Sequence, residues 1–168
     1  YDESAPDGIS TTMRHFAGGI LATMPELTAL MAPTPNSYRR YSPYSWAGTT
    51  ATWGIDNRSA GVRAILEGEL GTRLEHRQPG GDVNPYVGTA VALAAGLHGI
   101  ANSIEPADVV REDVYAMPPG DVPGLPRGLE RAVDLLDASE MAREWLGADF
   151  VSHYVVMKRA EIEAQSQA

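Results

Sequence analysis

Apolar residues recur at helical spacing early in the chain. Met13, Phe16, Ala17, Ile20 and Leu21 form one stripe, and Ser10 stands ahead of it as an N-cap. Pro25 predicts a break near Met24 and a second short helix to Met31, which Pro33 and Pro35 would end. Residues 38–53 are rich in turn formers and in aromatics of the kind that usually pack in a core or at its rim. Strands are predicted at 49–53, 61–66 and 72–77, with Asp56 and Asn57 in the first connection and turns at 67–71 and 78–83.

Asn84 followed by Pro85 is a helix start, a capping side chain before a residue whose fixed φ suits the first turn. That helix should run to about Asn102 and lie buried on Val87, Val91, Leu93, Ala94, Leu97 and Ile100. A short helix is predicted at 106–114 and a proline-glycine linker at 117–126. Three more helices are predicted at 127–136, 138–146 and 149–163, the last turning Phe150, Tyr154, Val155 and Met157 inward. The expected fold class is α+β, a mostly antiparallel sheet backed by helices, with a helical C-terminal region.

At 168 residues the chain fits one domain with a sizeable core. It has no cysteine, which excludes disulfides and thiolate metal sites and agrees with a cytoplasmic location. A net charge of -9 argues against nucleic acid as the main partner, and no apolar run is long enough for a membrane span. The cations are twelve arginines and the single Lys158. Guanidinium forks suit bidentate grip of carboxylate and phosphate, so the composition favours small anionic ligands.

Six of those arginines, Arg39, Arg40, Arg58, Arg63, Arg73 and Arg77, crowd into residues 36–77. On a strand Arg73, Glu75 and Arg77 share one face, and Leu74 and His76 take the other. Spacing alone leaves two readings open: a structural row of ion pairs, or a metal ligand beside anion-gripping arginines. His15, alone on the first helix, reads as structural.

Four motifs in order, Asn36-Ser-Tyr-Arg-Arg, Asn57-Arg-Ser-Ala-Gly-Val-Arg, Arg73-Leu-Glu-His-Arg and Asn84-Pro-Tyr, resemble the signatures of the glutamine synthetase family. The likeness continues through Ala90–Ile104 and covers nearly the whole chain. It implies the C-terminal portion of a catalytic domain, with 1–105 as sheet and packing helices and 106–168 as a helical tail. The family's N-terminal β-grasp domain and most of its carboxylate metal ligands would lie outside this stretch.

By resemblance the reaction joins glutamate to an amine with ATP through a γ-glutamyl phosphate, aided by Mg²⁺ or Mn²⁺. Glu75 matches a metal ligand, Arg40 and Arg77 match glutamate-binding arginines, and Arg58 matches a catalytic arginine at the transferred phosphoryl. Arg63 and Arg73 match nucleotide-side arginines. One carboxylate holds a hard cation poorly, so these residues alone are expected to be inactive and to bind metal weakly.

Ammonia-using members carry a glutamate in the loop after Asn-Ser-Tyr. Here residues 42–48 hold no acid, and Trp46 falls near that place. The expectation is therefore an organic amine as second substrate, with Trp46 on the amine side. Glutamine synthesis from ammonia and a non-catalytic nucleotide or dicarboxylate module are the alternatives. The family also implies a ring-forming homo-oligomer for the full-length protein, and at most a small oligomer for this stretch.

Overall fold

The computed structural model describes residues 1–5, 7–118 and 120–167. Helix α1, Thr11–Met31, is the spine. Ser10 caps it by accepting from the Met13 amide at 3.1 Å. The expected break at Pro25 does not occur, and one continuous helix replaces the two predicted. An internal proline costs about 3 kcal/mol, but Met24, Leu27, Leu30 and Met31 around it are almost completely buried. Burial on both sides of the proline outweighs that local cost.

Helix α1 packs on α3, Pro85–Ala101, and on α4, Leu129–Asp137. At the crossing with α3 the backbones nearly touch. A Cβ added at Gly19 would stand 2.1 Å from the Ala95 carbonyl oxygen and 2.6 Å from the Gly99 amide nitrogen. Asn84 caps α3 as expected, its side chain accepting from Tyr86 at 3.0 Å. The expectation that α3 is buried holds on one face only. Val91, Ala95, Gly96 and Gly99 are covered, whereas Leu93 and Leu97 are 51% and 59% exposed.

The sheet has the order β1-β2-β3, with β1 Trp53–Ile55, β2 Val62–Ile65 and β3 Arg73–His76. It is mixed rather than mostly antiparallel: β1 and β2 run parallel, and β2 and β3 antiparallel. A parallel pair usually needs a long crossover, but β1 is so short that its connection must climb back only about 10 Å. Residues 56–61 suffice, beginning at Asp56 in the left-handed region with φ 53°. The predicted strand at 49–53 therefore starts later. Its first part reaches instead to residues 123–125, through a Thr50–Gly124 bridge.

A one-turn helix α2, Gly68–Gly71, joins β2 to β3. The helix expected at 106–114 is absent. That stretch is irregular, its backbone held elsewhere: Val110 donates its amide to the Trp53 carbonyl at 2.9 Å, and Asn57 binds the carbonyls of Val110 and Glu112. A 3-10 turn, Val114–Ala116, follows it.

Beyond the loop come α4, then α5, Glu140–Leu146, and α6, Ala148–Ser166. Their apolar faces join the same core as α1 and the sheet. On α6 the inward residues are Val151, Tyr154, Val155 and Ile162; Phe150 and Met157, expected inside, are 39% and 42% exposed. His15 has the structural part expected of it, its Nε2 lying 2.9 Å from Glu105.

Candidate active site

The Arg73-Leu-Glu-His-Arg strand lies at the end of the sheet order, registered so that Glu75 stands opposite Arg63 of β2. Glu75 accepts from Arg63 Nη1 at 3.2 Å and from Arg77 Nη1 at 3.0 Å. Partial burial works to raise the Glu75 pKa, and the two hydrogen bonds and both charges outweigh it, leaving it below its ordinary value. Arg63 also grips Asp56, through Nε at 3.0 Å and through Nη2. That bond raises its pKa and keeps the guanidinium charged.

Arg77 ties three segments together. Its Nε donates to the Arg58 carbonyl at 3.1 Å, its Nη1 to Glu75, and its Nη2 to the Trp46 carbonyl at 2.7 Å. Only 13% of its side chain is exposed. The loop meets β3 at Gly48, where an added Cβ would lie 3.1 Å from the Arg77 carbonyl carbon. A side chain there would push the loop off the strand.

The predicted site residues thus divide. Arg63, Glu75 and Arg77 are in direct contact, and Arg58 and Trp46 join them through their backbone carbonyls. The exposed Arg58 guanidinium forms no hydrogen bond or ion pair among the described residues. Arg40 sits on the 3-10 turn Pro35–Arg40 and donates to the Gln78 carbonyl at 3.3 Å, just past Arg77. Arg73 turns away, 55% exposed, to the Gly71 carbonyl at 2.6 Å and Glu67 at 3.4 Å. The cluster is an open face, with the Glu75 side chain 41% exposed.

No group of three or more His, Asp or Glu side chains that could hold a metal exists among the described residues. Hard cations need several oxygens, so Glu75 can be one ligand and the residues present do not make a metal site by themselves.

Sequence reasoning missed two neighbours. Asp56 was read only as part of a connection, although its carboxylate fixes Arg63. Tyr115 donates from its hydroxyl to the Ala47 carbonyl at 3.0 Å across a separation of 68 residues. Its ring lies 5.4 Å from Tyr44 and 6.1 Å from Trp46. No local signal marks such a contact. On the core side of β3, both His76 ring nitrogens are buried without partners, and burial pushes its pKa down to about 4. Beside it lies a cavity of about 10 Å³, close to the space one water needs.

The family model for the glutamine synthetase catalytic domain matches residues 1–168. A type-1 glutamine synthetase of Dictyostelium discoideum is 43% identical over 95% of this chain and 31% of its own length. A glutamate–isopropylamine ligase of a Pseudomonas species is 39% identical over 94% of this chain and 34% of its own. A gamma-glutamylethanolamide synthetase of Streptomyces coelicolor is 40% identical over 94% of this chain and 33% of its own. The chain therefore spans about a third of the length of these relatives. A solved GmaS/ADP complex superposes with a TM-score of 0.87 at 34% identity, covering 100% of this chain and 40% of that one.

Proposed function

We propose, from the premise that this chain belongs to the glutamine synthetase catalytic-domain family, that it supplies the arginine face of an ATP-dependent ligase active site joining glutamate to an organic amine. The observation that carries the reading is the Arg63–Glu75–Arg77 cluster, with Arg77 also holding the loop of Trp46.

In this reading the γ-phosphoryl of ATP passes to the glutamate side-chain carboxylate. The amine nitrogen then attacks the acyl carbon, phosphate leaves with the C–O bonding pair, and the nitrogen gives up a proton. Charge neutralisation dominates such chemistry, so guanidinium groups matter more than nucleophiles. Arg58, with its donors free, suits the transferred phosphoryl. Arg63 and Arg73 serve the nucleotide phosphates, Arg40 and Arg77 hold glutamate, and Glu75 offers one oxygen to Mg²⁺ or Mn²⁺.

Support for an organic amine comes from the loop. It holds no acid, and Tyr44 and Trp46 are 63% and 53% exposed. Identity does not separate the alternatives, since the relative named a glutamine synthetase lies at 43% and those named for isopropylamine and ethanolamide lie at 39–40%. The acid-free loop supports the organic amine, because an ammonium site benefits from a carboxylate that holds the cation and takes its proton. Burying about 60 Å² of amine carbon against the aromatics, at about 25 cal/mol per Å², is worth about tenfold in kcat/KM.

The test compares kcat/KM for ammonium with that for a panel of primary alkylamines in the intact enzyme, then repeats it with Trp46→Glu. Alkylamines should lead by about tenfold and lose that lead in the variant. Ammonium as the best wild-type substrate would replace this reading with glutamine synthesis.

A further inference from the structure

Residues 42–46 are exposed, and two of them hold a backbone conformation that side chains disfavour: Tyr44 has φ 60° and Trp46 φ 59°. Such a loop keeps its shape only where its surroundings impose it. On the site side the imposing contact is the Arg77 bond to the Trp46 carbonyl at 2.7 Å. On the other side it is Tyr115, whose hydroxyl holds the Ala47 carbonyl at 3.0 Å. The Tyr115 ring meets Trp46 edge-on at 83° and Tyr44 at 45°. Behind the loop lies a cavity of about 410 Å³ with Pro43, Thr49, Tyr115 and Met117 in its wall, so that side is not packed solid.

Tyr115 is itself anchored to the site. Its amide donates to Asp113 at 3.0 Å, and the Val114 amide donates to Ser59 Oγ at 2.9 Å. Ser59 in turn donates to Asn57 Oδ1, closing the turn that carries Arg58. Since Arg77 holds the Arg58 carbonyl, the contacts form a closed circuit: Arg77, Trp46, Ala47, Tyr115, Val114, Ser59, Arg58 and back to Arg77.

We infer that Tyr115 is a positioning residue that fixes the Trp46 segment beside the arginine face and so sets selectivity for the amine. The inference rests on the proposed amine-side role of Trp46 for its selectivity half, and on geometry alone for its positioning half. Tyr115 touches no substrate in this reading; it acts through Trp46.

The experiment uses Tyr115→Phe, which keeps the ring, and Tyr115→Leu, which removes it. Hydrogen exchange is followed by mass spectrometry in a peptide covering 42–47 and in one covering 62–76. Tyr115→Phe should speed exchange in 42–47 by about two- to tenfold, the worth of one hydrogen bond, and leave 62–76 unchanged. Tyr115→Leu should add about as much again for each lost aromatic pair. In kinetics of the intact enzyme, KM for an alkylamine should rise by similar factors, while kcat and KM for glutamate stay within about twofold.

Unchanged exchange in Tyr115→Phe would overturn the positioning half, and that variant keeps the test valid if Tyr115→Leu fails to fold. Faster exchange with an unchanged amine KM would overturn the selectivity half. A wild-type preference for ammonium would instead overturn the amine reading and leave the positioning result standing.

Discussion

Replacing Asp82 with Asn removes the charge that fastens the Asn36-Ser-Tyr-Arg-Arg segment to the turn after β3. Asp82 Oδ2 accepts from Thr34 Oγ1 at 2.9 Å and from Ser37 Oγ at 2.5 Å. Thr34 and Ser37 also cap one another at the start of the turn that ends in Arg40. Hydrogen bonds to charged groups are worth about 1.5–3 kcal/mol when shielded. Asp82 is exposed, so solvent screening reduces each to roughly 0.5 kcal/mol, for a total of about 1 kcal/mol. In a chain of this size that lowers Tm by about 2–4 °C.

The effect has a pH signature. Partial burial works to raise the Asp82 pKa, but the bonds from Ser37 and Thr34 outweigh it and depress the folded value. A depressed carboxylate contributes stability that is complete above its unfolded pKa of about 4 and is lost as pH falls through the folded value. Circular dichroism melts from pH 7 to pH 3 should therefore show a constant gap between wild type and Asp82→Asn down to about pH 5, narrowing below pH 4. Equal Tm at pH 7, or a gap as wide at pH 3 as at pH 7, would refute the reasoning.

Gly19→Ala places a methyl 2.1 Å from the Ala95 carbonyl oxygen, and backbone cannot swing aside as a side chain can. The cost should reach about 1–3 kcal/mol or more, read as a lower urea midpoint; an unchanged midpoint would mean that the α1–α3 crossing is loose. Arg58→Ala should change stability by no more than about 0.5 kcal/mol, and, if the proposed function holds, should lower ligase turnover of the intact enzyme by about a hundredfold. Arg77→Ala breaks three hydrogen bonds and should cost about 2–3 kcal/mol of stability, and, if the proposed function holds, also turnover of the intact enzyme; melts and turnover measured side by side separate the two. Trp53→Ala empties a site that is 1% exposed, abandons the bond to the Ala107 carbonyl, and should cost about 3–5 kcal/mol in chemical denaturation.

What the sequence revealed was what local chemistry decides. Ser10 and Asn84 cap helices because their side chains satisfy amides two or three residues on, which needs no knowledge of the rest of the fold. Glu75 meets Arg77 because strand side chains alternate. The misreadings share the opposite cause. Pro25 stays helical because distant residues bury both sides of it, and 106–114 is not a helix because Trp53 and Asn57 claim its backbone groups. Phe150 and Met157 were placed inward from a pattern that does not say which neighbour a helix will meet. Asp56 and Tyr115 act through partners fixed only once the chain is folded.

The arginine motifs name the candidate residues but not how many of their donors are free. A guanidinium has five N–H donors, and Arg77 makes three hydrogen bonds to its own chain while Arg63 is divided between Asp56 and Glu75. At the cluster the guanidiniums of Arg63 and Arg77 face the carboxylates of Asp56 and Glu75, and Arg58 joins through its backbone carbonyl. These paired charges balance, inside a chain of net charge -9. Attraction of a phosphate or dicarboxylate to this face is a short-range matter, because beyond a Debye length of about 8 Å the acidic remainder is felt instead. The groups already paired keep the face ordered, and Arg58, unpaired among the described residues, has the donors to meet an incoming anion.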